Sequence, residues 1–217
     1  MKKLVTLVLC AAMVLFVAGC TRGEPDPLDV DDKVSYNIAV VKQLDHASLD
    51  EIADAILSQL DSLAIEKGIS IQHKVFSGQN DVTLLNQIGS QLVTGDYDAI
   101  IPIATVAAQS MATAAESNKI PVIFSAISDP GEAGLVGLDY VTGISDALDT
   151  EKIMDMMFAQ NPGIKNVGLL YSLSEPNSKG PIEQAKAYLE VKGISFHEAT
   201  GTNNQEIVAA AQSLVGK

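Results

Sequence analysis

The sequence predicts an α/β protein with doubly wound parallel sheets in two Rossmann-like lobes, the second incomplete. Three observations predict it. From Tyr36 onward, short β-rich runs alternate with amphipathic helical stretches. The links between them are short, which calls for parallel strands joined by right-handed crossovers. The run Ala99 to Ile103 is apolar throughout, as in a strand covered on both faces.

Each element has its own signal. Tyr36 to Val41 is a strand. Ser48 and Glu51 have the spacing of a capping box, and Leu49, Ile52, Ile56, Leu60 and Leu63 form one helical stripe that Gly68 ends in the left-handed region. Ile69 to Phe76 is the second strand. Asp81 caps a helix carrying Leu84, Leu85, Ile88 and Leu92, which Gly95 stops. After the third strand, Thr105 opens an alanine-rich helix fading near Asn118; Pro121 to Phe124 and Val141 to Ile144 are strands four and five. A second series begins with a helix over Thr150 to Ala159. It continues with strand Asn166 to Tyr171, helix Ser178 to Lys192 stopped by Gly193, strand Ile194 to Ala199 and helix Gln205 to Leu214. The lobes are placed at 35–147 and 148–217. Two parallel strands cannot cover their own edges, so about a hundred further residues are expected to complete the second lobe.

The first 34 residues read differently. Lys2 and Lys3 precede an apolar run from Leu4 to Val17, shorter than the ~20 residues a membrane span needs, and small residues lead to Cys20. This is a secretory signal over 1–19 whose Val17-Ala-Gly-Cys20 ending resembles a bacterial lipobox. Cys20 is the expected lipidation site, and 20–34, polar with Pro25 and Pro27, the expected tether. Two or more acyl chains on Cys20 would anchor the protein stably to the membrane. The expected location is the extracytoplasmic side of the cell envelope.

Composition excludes several functions. From Cys20 on, the chain carries all 27 acidic residues but only 12 of the 14 basic ones, a formal charge of −15. Nucleic acid is not an expected partner of such a surface. The three histidines are far apart and no cysteine pair follows the signal, so neither a metal site nor a disulfide is expected. No Walker A loop, nucleophile elbow or H-E-x-x-H occurs, and no cofactor is expected.

Ligands of open α/β sheets bind beyond the carboxyl ends of the strands. That rule selects Asp45 and His46 after the first strand, Thr105 after the third, Ser125, Ser128 and Asp129 after the fourth, and Asp146 after the fifth. Tyr171, Glu175, Asn177 and Ser178 fill the corresponding loop of the second lobe. Each also has a purely structural reading: Thr105 and Ser178 as helix caps, Asp129-Pro130-Gly131 as a turn.

Five segments resemble one group of ABC-transporter substrate-binding lipoproteins, the group with tryptophan- and tyrosine-binding members. They are Gln43-Leu-Asp-His-Ala-Ser-Leu-Asp50, Ile103-Ala-Thr-Val-Ala-Ala-Gln109, Phe124-Ser-Ala-Ile-Ser-Asp-Pro130, Gly143-Ile-Ser-Asp146 and Val167-Gly-Leu-Leu-Tyr-Ser-Leu-Ser-Glu-Pro-Asn-Ser178. The resemblance implies a periplasmic-binding-protein type I fold, monomeric, whose lobes close over a small ligand and deliver it to a membrane permease. It implies an amino-acid ligand. The carboxylate would be received near Thr105 and Ser178, the ammonium by Asp129, or by Glu175 or Asp45, and an aromatic side chain would stack on Tyr171. The chain contains no tryptophan to add a second aromatic wall. Two other readings share the fold: a sensory lipoprotein presenting ligand to a receptor, and an amino-acid racemase, which would use a cysteine pair that the chain lacks after Cys20.

Overall fold

The computed structural model describes residues 34–216; Cys20, the signal and most of the tether lie outside them. From Val34 on, the chain packs as one unit. Its strands are β1 (Ser35–Lys42), β2 (Ser70–Ser77), β3 (Ala99–Ile103), β4 (Val122–Ile127), β5 (Val141–Ser145), β6 (Asn166–Ser172) and β7 (Ser195–Gly201). Its helices are α1 (Ala47–Lys67), α2 (Val82–Thr94), α3 (Thr105–Ala114), α4 (Thr150–Gln160), α5 (Lys179–Lys192) and α6 (Asn204–Leu214), with a 3₁₀ turn at Pro176–Ser178.

The first five strands form one parallel sheet in the order β2-β1-β3-β4-β5, and β6 pairs with β7 in a second parallel sheet. The order reverses direction between β1 and β3, so the loops leaving those two strands diverge at a topological switch point. The sequence predicted the parallel arrangement; the strand order adds the position of the crevice.

Burial follows from that placement. On β1, Ala39 and Val41 pack on one side with Leu85, Leu92 and Met111, while Val40 between them packs on the other with Ala53 and Ile103. A strand covered on both faces reads as a continuous apolar run, and all three of these residues are fully buried. Pro102, in the middle of β3, has no N–H to give. Ile100 and Ala104 donate to the carbonyls of Pro121 and Ser125 on the β4 side at 2.9 and 3.0 Å, and the rung between them is missing. The second lobe has a smaller core of Met154, Leu169, Ala185 and Leu189.

Several helix ends differ from their sequence signals. Gly68 and Gly193 take the left-handed conformation that ends α1 and α5, with φ of 64° and 68°. Ser48 does not cap α1; the helix starts two residues earlier than a Ser48 cap implies, and His46 caps it by accepting the Ser48 N–H on Nδ1 at 3.3 Å. The cap position of α3 belongs to Ala104, not Thr105, which is the first helical residue. Ser178 stands before α5 but makes no side-chain cap bond, because the 3₁₀ turn already winds the chain into the helix. No helix connects β4 to β5. Asp129 organises a series of turns instead, its Oδ1 accepting the Glu132 N–H at 2.9 Å.

Candidate functional site

A cleft of about 610 Å³ opens where loops of the two lobes meet at the carboxyl ends of the strands. Small-molecule sites commonly occupy roughly 300–1,000 Å³. The first lobe contributes Thr105 at the start of α3, Ser128, Asp129, Glu132 and Ala133 after β4, and Ala147 and Leu148 after β5. The second contributes Tyr171, Ser172 and Leu173, then Glu175 to Gln184 through the 3₁₀ turn and the first turns of α5.

Of the residues selected from the sequence, Thr105, Ser128, Asp129, Tyr171, Glu175, Asn177 and Ser178 line this cleft. Asp45, His46, Ser125 and Asp146 do not. Asp45 is bound at 2.9 Å to Lys42, whose ammonium also meets Asp50. Its carboxyl is held below the usual range by Lys42 and by a bond with Ser77. His46 is spent on the α1 cap. Ser125 sits within β4 beside Ile103, and Asp146 is exposed just past β5, where its N–H donates to Ile127.

The amino end of α3 is held in unusual backbone geometry. Ala104 has φ 77° and ψ 161°, a conformation ordinarily left to glycine, and such strain clusters where a fold holds a site. Thr105, the first residue of α3, lines the cleft, and the N–H groups a helix leaves unpaired at its start favour an anion. One is already used: the Val106 N–H donates to Oε1 of Gln43 at 3.2 Å. Those of Thr105 and Ala107 have no partner among the described residues. The amino end of α5 offers less, because Pro181 in its first turn has no N–H.

Gln43 opens the first of the resembling segments and the loop after the first strand, but nothing in the sequence assigns it a role. It follows β1 directly and is 2% exposed. Its Nε2 donates to Asn80 at 3.1 Å and to both carboxylate oxygens of Glu175, 132 positions away, at 3.1 and 3.2 Å. No local pattern could have indicated that pairing. Lys179 and Gln184 were also missed; nothing but their position at the start of α5 distinguishes them.

Charge in the cleft is unbalanced. Asp129, Glu132, Glu175 and Glu183 face it, against Lys179. A fixed excess of carboxylates favours a ligand that brings a cation and opposes one with two acidic groups. Tyr171 is the one aromatic side chain in the lining, and its hydroxyl donates to Glu198 at 3.0 Å. That bond, with burial added, raises the phenol's pKa and keeps it protonated.

Residues 37–217 match the family described as ABC transporter substrate binding protein. A tyrosine-binding protein of Clostridioides difficile (strain R20291) is 29% identical over 227 residues, spanning 100% of this chain and 65% of that protein. Among solved structures, the ABC domain in complex with L-Trp from Streptococcus pneumonia is 32% identical, with a TM-score of 0.75 over 84% of this chain and 63% of that one. The ligand-free, open structure of a substrate binding protein with adhesive properties from Clostridium difficile is 28% identical, with a TM-score of 0.60 over 83% and 62%. This chain thus spans less than two thirds of the length of each of the three. A leucine binding protein from Thermotoga maritima, 17% identical at a TM-score of 0.62, shares the fold.

Proposed function

This chain belongs to the ABC transporter substrate-binding protein family, and from that premise we propose that it captures an amino acid, aromatic by preference, for an importer. The family is one of binding proteins rather than enzymes. The observation that carries the proposal is the cleft. It combines an anion-favouring helix end, carboxylates for a cation, and a single aromatic wall at the carboxyl ends of the strands. Those three features complement the three parts of an aromatic amino acid.

In this reading the ligand carboxylate meets the free N–H groups at the start of α3, with the Thr105 hydroxyl beside them. Ser178 and Asn177 close from the second lobe. Asp129 and Glu175 are the carboxylates available to the ammonium, and the ring lies on Tyr171, a contact worth roughly 0.5–1.5 kcal/mol beyond its buried area. The tryptophan-bound and tyrosine-binding relatives support the aromatic preference. Delivery to a membrane permease, and anchoring outside the cytoplasm through lipid on Cys20, complete the proposal. No helix among the described residues is long and apolar enough to cross a membrane.

Isothermal titration with L-tyrosine and L-tryptophan tests the ligand. Binding should weaken on Thr105→Ala and on Asp129→Ala; unchanged affinity in both variants would remove the assigned site. A ligand at a hundred times its Kd should stabilise the fold by ~2.7 kcal/mol, so the absence of any melting shift across the amino acids would remove the ligand class. For the anchor, labelled fatty acid should enter the wild type and not Cys20→Ser.

A further inference from the structure

Gln43 has every polar group engaged. Its N–H donates to the Ile103 carbonyl at 3.2 Å and its carbonyl accepts the Asn80 N–H at 2.9 Å. The side-chain oxygen accepts from Val106, which forces the amide nitrogen toward Asn80 and toward Glu175 of the second lobe. A buried amide fixed at one end in this way has one orientation, and the group it faces must be an acceptor. Gly78 fixes the loop behind it: a side-chain carbon there would stand 2.9 Å from the Gln43 carbonyl and overlap Leu85. Glu175 forms no ion pair among the described residues, so the neutral amide orients its carboxylate without cancelling the charge.

We infer that Gln43 is the positioning residue of the cleft: anchored on the amino end of α3, it holds the carboxylate of Glu175 on the opposite lobe, tying the two lobes together and presenting that charge to the ligand. The tie follows from contacts within the chain. That a ligand ammonium meets the held carboxylate rests on the proposed function.

Amide hydrogen exchange on the full chain, with no ligand added, tests the tie. Gln43→Met removes the donor at constant length, and Gln43→Glu sets two carboxylates against each other. Either should speed exchange between Leu173 and Ser178 roughly ten-fold, the size of one hydrogen bond to a charged acceptor. The double variant Gln43→Glu with Glu175→Gln restores a donor facing an acceptor and should return exchange to near the wild-type rate. Unchanged exchange in the single variants, or a double variant that melts like wild type yet stays fast, overturns the inference. Should the Gln43 variants not fold, Glu175→Ala decides alone: faster exchange supports the tie and unchanged exchange rejects it. Titration of the same proteins with L-tyrosine and L-tryptophan separates the two proposals. Weakened binding in the single variants and recovery in the double supports both; wild type binding neither amino acid, with the exchange pattern intact, upholds the tie and rejects the ligand.

Discussion

β1 and β6 each begin a βαβ unit, yet they are buried to different depths. β1 has strands on both edges and packed residues on both faces, so Ala39, Val40 and Val41 are all fully buried. Among the described residues β6 pairs with β7 alone; Leu169 is 7% exposed while Leu170 beside it is 38% exposed. The apolar pattern of a strand records what can be buried, and the number of neighbours decides how much is. Stability should therefore differ between the lobes, with local opening concentrated in the second.

The strongest test of that difference is a matched pair of truncations. Leu85 and Leu189 are both fully buried, one in the large core and one in the small. Leucine-to-alanine changes in cores cost about 2–5 kcal/mol, more where the surroundings cannot collapse. Leu85→Ala should fall near the top of that range and Leu189→Ala near the bottom, measured by urea melts followed by circular dichroism. Equal losses would break the comparison.

Next in size is Gly143→Ala on β5, which drives a side-chain carbon into the backbone and ring of Phe124 on β4. A loss of about 1–3 kcal/mol is expected, confined to the β4–β5 edge in hydrogen exchange. Ala104→Gly works in the opposite direction. It relieves the strained start of α3 and should stabilise the first lobe by about 1 kcal/mol in the same melts.

The smallest effect sharpens the view of the second lobe alone. Tyr188 on α5 donates to Asp155 on α4, which raises its pKa from 10.0 to about 12. A raised folded-state pKa contributes stability that is complete below the unfolded value and lost as pH rises through the folded one. The second lobe should therefore weaken between about pH 10 and 12, and Tyr188→Phe should flatten that slope. Glu206 has the opposite sign. The Thr202 hydroxyl and N–H donate to its carboxyl and lower its pKa, so its contribution holds above the ordinary carboxylate range and fades as acid is added.

The periodic parts of this fold were legible, because alternation, helical stripes and glycine stops are local signals. Strand ends fell within a residue or two of those expected except for β4, which runs three residues past Phe124 to Ile127. The errors concern choices between neighbouring polar residues. Ser48 has the better capping chemistry, but the chain enters α1 two residues earlier and His46 takes the role. Thr105 was read as a possible cap, whereas the backbone places Ala104 there at a cost its sequence does not display. The strand-end rule brought seven of the eleven candidates to the cleft, because topology alone decides which loops converge. Asp45 left the set because Lys42, three positions before it, offers a nearer partner. The Gln43–Glu175 pair could not be read at all, since it depends on two lobes meeting rather than on any pattern along the chain.

The single aromatic wall of the cleft has an optical consequence. The chain has five tyrosines and no tryptophan, and Tyr171 alone among the tyrosines lines the cleft. A tryptophan held there would be the sole indole in the complex, emitting to the red of the chain's tyrosines. Tyr171, in contact with it, would pass excitation to it more efficiently than any other residue. The site would then report its own occupancy by light, with no label attached to the protein.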